Sequence, residues 1–393
     1  MSEYQYYEFL AVDRPLDADQ LRQVRTLSTR ATISPTRFVN EYQWGDFKGD
    51  STKLVEQLYD AHLYFANWGS RRLVLRLPAL MLSKKTVALY ALEESLTVWT
   101  RSGHTLLDFS VECEDGGEWD FETSWELSSL IGLRAELAAG DLRPLYLAWL
   151  AALTVWELSE DDEEEYVRAT EPPVPAGLAD LTGPQRALAD FLKVDPDLLA
   201  VAARASDPAH PPGGPDRREL ATFIAALPVK EKDELLLHAA LGTHPQPGPK
   251  LLAHYRSTTA DRTTANRQPS PRSAATLLDA ASAHRTERTR HEQEAHRTAV
   301  EERARAAARA HQRHLDRIAR DVDQAWKDVD DLISQKKSAA YDTVATLLRD
   351  LREIHAQRST LPEYDRRAGS LRAAHCNKPA LMRRFDTLGV LAT

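Results

Sequence analysis

The spacing of apolar residues changes period several times along the chain, and each change marks an element. Tyr4 to Val12 is rich in aromatic and β-branched residues and stops at Asp13-Arg14-Pro15, the pattern of a strand followed by a turn. Leu16 to Thr29 places Leu16, Leu21, Val24 and Leu27 at helical spacing. A second strand is expected within Ile33 to Trp44, followed by a loop at Gly45 to Asp50. Leu54, Leu58, Ala61, Leu63 and Phe65 predict a helix over Leu54 to Trp68, which Gly69 would end. Arg72 to Leu77 reads as a strand, Met81 to Ala91 as a short helix, and Leu96 to Thr100 with Thr105 to Glu112 as a hairpin turning at Ser102-Gly103. A turn at Glu114 to Glu118 and two helices, Ser124 to Ala139 and Leu142 to Leu158, complete a mixed α/β domain over 1–158. Its sheet is expected to be small and mixed, covered by helices. Seven of the eight tryptophans fall in this domain and predict an aromatic-rich core.

Composition then changes. The acidic run Glu160 to Glu165 and Pro172, Pro173 and Pro175 mark a linker over 159–177. Residues 178–256 read as short helices: Pro184 to Lys193, Asp197 to Ala205, Arg217 to Leu227 and Lys230 to Leu241. Residues 257–272 follow as a flexible tether of low apolar content. Ser273 to Ser334 contains neither proline nor glycine, so a helix there could run unbroken, and its first part (273–314) reads as a long polar helical arm. From His284 to His314 the only large aliphatic residue is Val300, so that stretch is polar all round and is held by pairs four apart such as Arg288–Glu292 and Arg290–Glu294. An apolar stripe opens at Leu315. With Ala340 to His355, Glu363 to His375 and Pro379 to Leu388 it predicts a C-terminal helical bundle over 315–393. The fold class expected is α+β: a mixed α/β domain, an all-α middle region, a long polar helix and a small helical bundle.

The formal net charge of −9 hides an asymmetry, since residues 258–393 hold 25 basic and 19 acidic side chains. Cys113 and Cys376 are the only cysteines and lie far apart, so neither a disulfide framework nor a cysteine zinc site is expected, and a reducing cytoplasm is the natural compartment. The longest apolar stretch, Leu145 to Leu158, falls short of the roughly 20 residues a membrane span needs, and no membrane association is expected. No cofactor is expected: Gly116-Gly117 and Gly213-Gly214 lack the spacing of phosphate-binding loops.

Trp326-Lys-Asp-Val-Asp-Asp-Leu-Ile333, Lys336, Tyr341-Asp342, Leu347-Leu348-Arg-Asp-Leu351, Leu371-Arg372-Ala-Ala-His375 and Lys378-Pro379 together resemble the C-terminal tail of bacterial SWIM-type zinc-finger proteins. The Cys/His zinc site itself is absent. The chain as a whole, beginning Ser2-Glu-Tyr-Gln-Tyr-Tyr-Glu-Phe9, resembles a bacterial family of unknown function. The first resemblance implies a shared terminal module that docks into a similar assembly; the second implies no activity.

Three clusters carry candidate chemistry. Arg305, Arg309, Arg313 and Arg317 recur every four residues and so share one helix face. This row reads first as a solvated face, next as a track for a polyanion such as nucleic acid, and last as a partner for the chain's own acidic run. Trp44-Gly-Asp-Phe-Lys-Gly-Asp50 gathers Asp46, Lys48 and Asp50 beside Glu41. It is either a polar loop site or a hairpin loop whose aromatics pack on the core. Among the five histidines of the long helix, His311 and His314 are three apart, but no third ligand is evident and they are expected as solvated residues, so no metal site is expected. The sequence thus favours a non-enzymatic cytoplasmic adaptor with a protein partner. Nucleic-acid binding through the arginine-rich arm, within a complex containing a SWIM-type protein, is the alternative, and an enzyme in the N-terminal domain is a third class.

Overall fold

The computed structural model describes residues 4–92, 95–112, 125–156, 169–208, 217–241, 248, 251–252, 254–255 and 272–387. Cys113, the expected turn at Glu114 to Glu118, the acidic run Glu160 to Glu165 and the tether before Arg272 lie outside them. The chain divides into two packed units, residues 1–287 and 288–393, and the α+β class is observed.

The first unit is built on a seven-stranded sheet of order β2-β3-β1-β4-β5-β7-β6. Its strands are β1 (Gln5–Leu10), β2 (Thr32–Ile33), β3 (Arg37–Tyr42), β4 (Ala61–Ala66), β5 (Arg71–Pro78), β6 (Leu96–Arg101) and β7 (His104–Val111). Every pair is antiparallel, so the sheet is not mixed. The reason lies in the segment expected as one helix from Leu54 to Trp68. Helical spacing holds only through Leu58, giving α2 (Ser51–Gln57), and the remaining apolar residues Ala61, Leu63 and Phe65 alternate. Alternation places all three on one face of a strand, and β4 becomes the central strand between β1 and β5. With no helical crossover there, β4 returns directly to β5 through Asn67 to Ser70, which forces antiparallel pairing.

Side chains on one face of the sheet, including Tyr6, Leu63, Phe65, Leu73, Leu75, Leu107 and Phe109, form the main core with the following helices. These are α3 (Lys84–Ala88), α4 (Leu127–Leu130), α5 (Gly132–Ala138) and α6 (Arg143–Trp156), then Gly183–Phe191 and Pro196–Ala203. Val174, Leu178, Leu188, Phe191, Leu198 and Val201 belong to this same core, so the described end of the expected linker and the first two helices of the short-helix region pack with the sheet. Arg217–Ala226 and Val229–Leu241 contribute no described residue to that core. Arg272 donates two hydrogen bonds to buried Glu171 (2.6 and 2.8 Å), beside a bridge between Thr170 and Ser273. The core is aromatic-rich, as expected, but tryptophan supplies little of it: Trp44 and Trp68 are exposed, Trp99 and Trp125 half-buried, and Trp149 buried. The large buried rings are Phe9, Phe38, Tyr59, Tyr90, Phe109, Tyr146 and Phe191.

The other face of the sheet is apolar at one end, where Phe9, Phe38, Val74 and Leu106 meet Val24 of α1 (Ala18–Arg25) and Leu54, Val55 and Tyr59. Helix α1 starts on a capping box, with Asp17 accepting from the Asp19 and Gln20 amides and Gln20 reaching back to Asp17.

The long helix runs Ala274–Ala319, 46 residues. It does not continue to Ser334. Asp321 leaves helical geometry (φ −144°) and caps a new helix, Val322–Ser334, by accepting from the Gln324 amide (2.9 Å). An aspartate competes for backbone donors and is worth more as a cap than inside a helix. Ala274, Leu277 and Ala281 lie in the core of the first unit. Within the second unit, Leu315 is buried and Ile318 packs on a core of Trp326, Val329, Ile333, Val344, Leu348, Leu351, Tyr364, Leu381 and Phe385. That core is supplied by Val322–Ser334, Ser338–Gln357, Leu361–Ala374 and Pro379–Thr387, the helical bundle the apolar stripe predicts.

Candidate interaction surfaces

Strand register places a row of polar side chains across five strands of the first unit. Asn40, Tyr7, Tyr64, Arg72 and Ser110 are successive cross-strand partners on the face that carries α2. Tyr42 and Gln5 stand beside the row on the same face, by the two-residue alternation of strands. Tyr7 is the hub: its ring lies 4.8 Å from Tyr64, 5.9 Å edge-on to Tyr42 and 5.1 Å from Phe47. Its hydroxyl donates to Gln5 Oε1 (2.7 Å), and the Gln5 amide donates to Asp46 Oδ1 (3.1 Å) and to the Gly45 carbonyl (3.3 Å).

The expected loop cluster is distributed over different tasks by this arrangement. Asp46 joins the sheet-face network through Gln5. Asp50 caps α2, accepting from the Lys53 amide (3.0 Å), which holds its carboxyl below the usual carboxylate range. Lys48 is exposed, and Glu41 faces the opposite side of β3 from Asn40 and Tyr42. Phe47 packs against Tyr7, Phe9 and Phe38, as a core-packing loop requires. Gly49 permits this approach, since a Cβ there would stand 2.7 Å from the Phe47 ring. Trp44 turns outward, with the Arg30 guanidinium 5.6 Å from its ring centre.

Arg72 is held by four partners: both Asp108 oxygens (2.6–3.0 Å), Ser51 Oγ (3.0 Å) and Thr52 Oγ1 (2.9 Å). Beside the row, His62 is fully buried and stacked on Phe9, with centroids 4.1 Å apart. Its Nδ1 lies 3.0 Å from the Glu8 carbonyl, which can only accept, so Nδ1 carries the proton. Nε2 is left with a lone pair and no donor among the described residues. Burial drives the His62 pKa down to about 3, and burial drives Tyr64 up to about 12 and raises Tyr7. The sequence signal for this face was present as odd-numbered polar and aromatic residues in β1 and even-numbered ones in β3 and β4. It is hidden in the sequence because the apolar spacing of Leu54 to Phe65 also fits a helix.

The arginine row lies on a bare helix. Every residue from Thr286 to Arg313 is exposed. Arg305 lies 3.8 Å from Glu301, Arg317 donates to His314 Nδ1 (2.9 Å), and Arg309 and Arg313 have no hydrogen-bond or ion-pair partner among the described residues. Arg288 pairs with Glu292 (3.0 Å), as the spacing predicted.

His311 and His314 are not simply solvated. His314 Nε2 donates to Asp350 (3.0 Å), whose side chain is only 3% exposed, and His311 Nε2 donates to Glu353 (2.9 Å). Two residues three apart on the long helix thus meet two acids three apart on Ser338–Gln357, a match between distant segments that linear spacing does not reveal. No group of three or more metal-ligating side chains that could hold an ion is found among the described residues. Elsewhere, helix Val229–Leu241 exposes Val229, Leu236, Leu237 and Leu241.

Among the described residues no helix is long and apolar enough to cross a membrane. The chain matches no family model, no curated protein and no solved structure.

Proposed function

We propose that this protein is a non-enzymatic adaptor of the cytoplasm, bringing a protein partner to its two packed units and the helix between their cores in sequence. The observation that carries the reading is the bare stretch Thr286 to Arg313 within a continuous helix. A helix gains most of its stability in a protein by burying one face, and this stretch buries none. Its ordered surface is then available for contacts outside the chain, the use expected of a helix that is polar all round.

The titrating groups of the sheet face support a non-catalytic reading. General acid–base catalysis is served by pKa values brought toward neutrality. Burial moves His62 and Tyr64 in the other direction, to about 3 and about 12. Arg72 is already committed to Asp108, Ser51 and Thr52. The four exposed aliphatics of Val229–Leu241 are the kind of surface a protein contact covers. The resemblance of the bundle to SWIM-type tails fits an assembly role as well.

The test is reconstitution. The full-length chain, cross-linked in nuclease-treated extract of its own cells, should yield a defined protein partner, and that partner, purified separately, should bind the purified chain with a Kd of micromolar or tighter. Replacing Leu236 and Leu237 by Asp should weaken binding at least tenfold while leaving the circular dichroism spectrum unchanged. Failure of every purified candidate to bind would overturn the adaptor reading.

A further inference from the structure

We propose that residues Arg303 to Arg313 of the long helix form a duplex-DNA-binding surface, with Arg303, Arg305, Arg309 and Arg313 contacting backbone phosphates and the helix lying in the major groove. Three observations carry this beyond the adaptor reading. Between Arg303 and Arg313 there are four arginines and no acidic residue, in a chain whose overall formal charge is −9. The positive charge is therefore concentrated locally. All of these residues are exposed, and Arg309 and Arg313 have no partner within the chain among the described residues.

The third observation is shape. The residues around the arginines are Ala304, Ala306, Ala307, Ala308 and Ala310. An ordinary helix with its side chains is about 10–12 Å across, and the major groove of B-DNA is about 12 Å wide. Alanine at all the other positions up to Ala310 makes this segment thinner than average, so its backbone approaches the groove floor while the long arginine side chains reach out to the walls. Beyond it His311 is turned to Glu353 of Ser338–Gln357, on the side of the helix away from Arg305, Arg309 and Arg313. Arg305, Arg309 and Arg313, four apart, are spaced by about 6 Å along the axis and each step turns the row by about 40° around it, while Arg303, two residues before Arg305, points to the opposite wall of the groove. With its arginines engaged on the walls the segment offers mainly alanine toward the bases, which touches thymine methyl groups and reads little else. The contact predicted is of low sequence specificity.

The A-form duplex offers no such groove, since its major groove is deep and too narrow for side chains to read. DNA and double-stranded RNA of equal charge therefore separate groove insertion from simple attraction to phosphate.

The experiment is fluorescence anisotropy of a labelled 30-base-pair DNA duplex titrated with the full-length protein between 50 and 200 mM NaCl. Four phosphate contacts give a slope of log K against log salt of about −3.6, equivalent to a loss of about a hundredfold in affinity over that range. The quadruple variant R303Q/R305Q/R309Q/R313Q, with unchanged helix content by circular dichroism, should lose binding at 50 mM salt. The corresponding quadruple lysine variant should keep the slope, and a 30-base-pair RNA duplex should bind at least tenfold more weakly than DNA. No binding of the wild type at 50 mM salt, or an unchanged slope in the glutamine variant, would overturn the surface. Equal affinity for the two duplexes would overturn the groove assignment.

Discussion

Asp60 gives the sharpest stability prediction in the first unit. It stands just before β4, with 1% of its surface exposed, and accepts four hydrogen bonds. Two come from the amides of Val12 and Asp13 (2.7 and 2.9 Å), and two from Arg76 Nε and Nη2 (3.1 and 2.7 Å). The carboxylate therefore ties the end of β1 to β5 across the point where α2 gives way to the strand. Asp60→Ala leaves two amides without acceptors and strands Arg76, whose side chain is 12% exposed and keeps only a 3.3 Å bond to the Glu56 carbonyl. Removing one member of a buried pair costs about 3–5 kcal/mol, and the orphaned amides keep the loss at the upper part of that range. Asp60→Asn keeps one accepting oxygen but turns an amide donor toward other donors, so a cost of about 2–4 kcal/mol is expected. The assay is urea unfolding followed by tryptophan fluorescence, which reports mainly on the first unit because seven of the eight tryptophans precede residue 288. Both variants should unfold at lower urea, alanine first. A change below about 1 kcal/mol for Asp60→Ala would refute the clamp.

Three further outcomes follow from the geometry. His62 is buried neutral with its pKa near 3, so below the ordinary value of about 6.5 the unfolded chain binds a proton that the folded chain does not. Its share of stability is therefore full above pH 6.5 and falls by about 1.4 kcal/mol per pH unit between there and pH 3. His62→Phe should flatten the pH dependence of the urea midpoint between pH 7 and 5, and an unchanged slope would contradict the assignment. Leu63→Ala should cost about 2–5 kcal/mol because Leu63 is wholly buried in β4, whereas Leu237→Ala should stay within about 0.5 kcal/mol by the same unfolding assay. In the second unit, His314→Ala should lower stability by about 1–3 kcal/mol by leaving the buried Asp350 without its donor, while His311→Ala, whose partner Glu353 is exposed, should cost less than about 1 kcal/mol; thermal melts by circular dichroism, with His314→Gln as the restoring variant, distinguish them.

Much of the architecture was legible because it is written in local periods. β1, β5, the β6–β7 hairpin with its Ser102-Gly103 turn, and all the helices of the bundle stand where apolar spacing predicts them. The failures share a cause. Leu54 to Phe65 satisfies a helical pattern and a strand pattern at once, and what decides between them is the presence of β1 and β5 on either side, a tertiary fact. The polar row from Asn40 to Ser110 depends on register across five strands, so it could not be read until β4 was known. The long helix was legible in its start and its bare middle, but Asp321 ended it early because a side-chain cap competes with helix continuation at a residue that breaks no period. The arginine row was legible in full, since four-residue spacing is itself the geometry of one helix face. The pairing of His311 and His314 with Glu353 and Asp350 was not, because it joins segments more than thirty residues apart.

The long helix is continuous and bare through its arginine-rich stretch. Spin labels at Glu292 and Ala310, with Cys113 and Cys376 replaced by Ser, test this by electron–electron distance measurement on the full-length protein. Eighteen helical residues separate the two backbone sites by about 27 Å. A narrow distribution centred there, with both labels freely relaxed by a water-soluble paramagnet, is the predicted result. A broad distribution at shorter distance, or labels shielded from the paramagnet, would show the stretch bent or covered and would contradict the account.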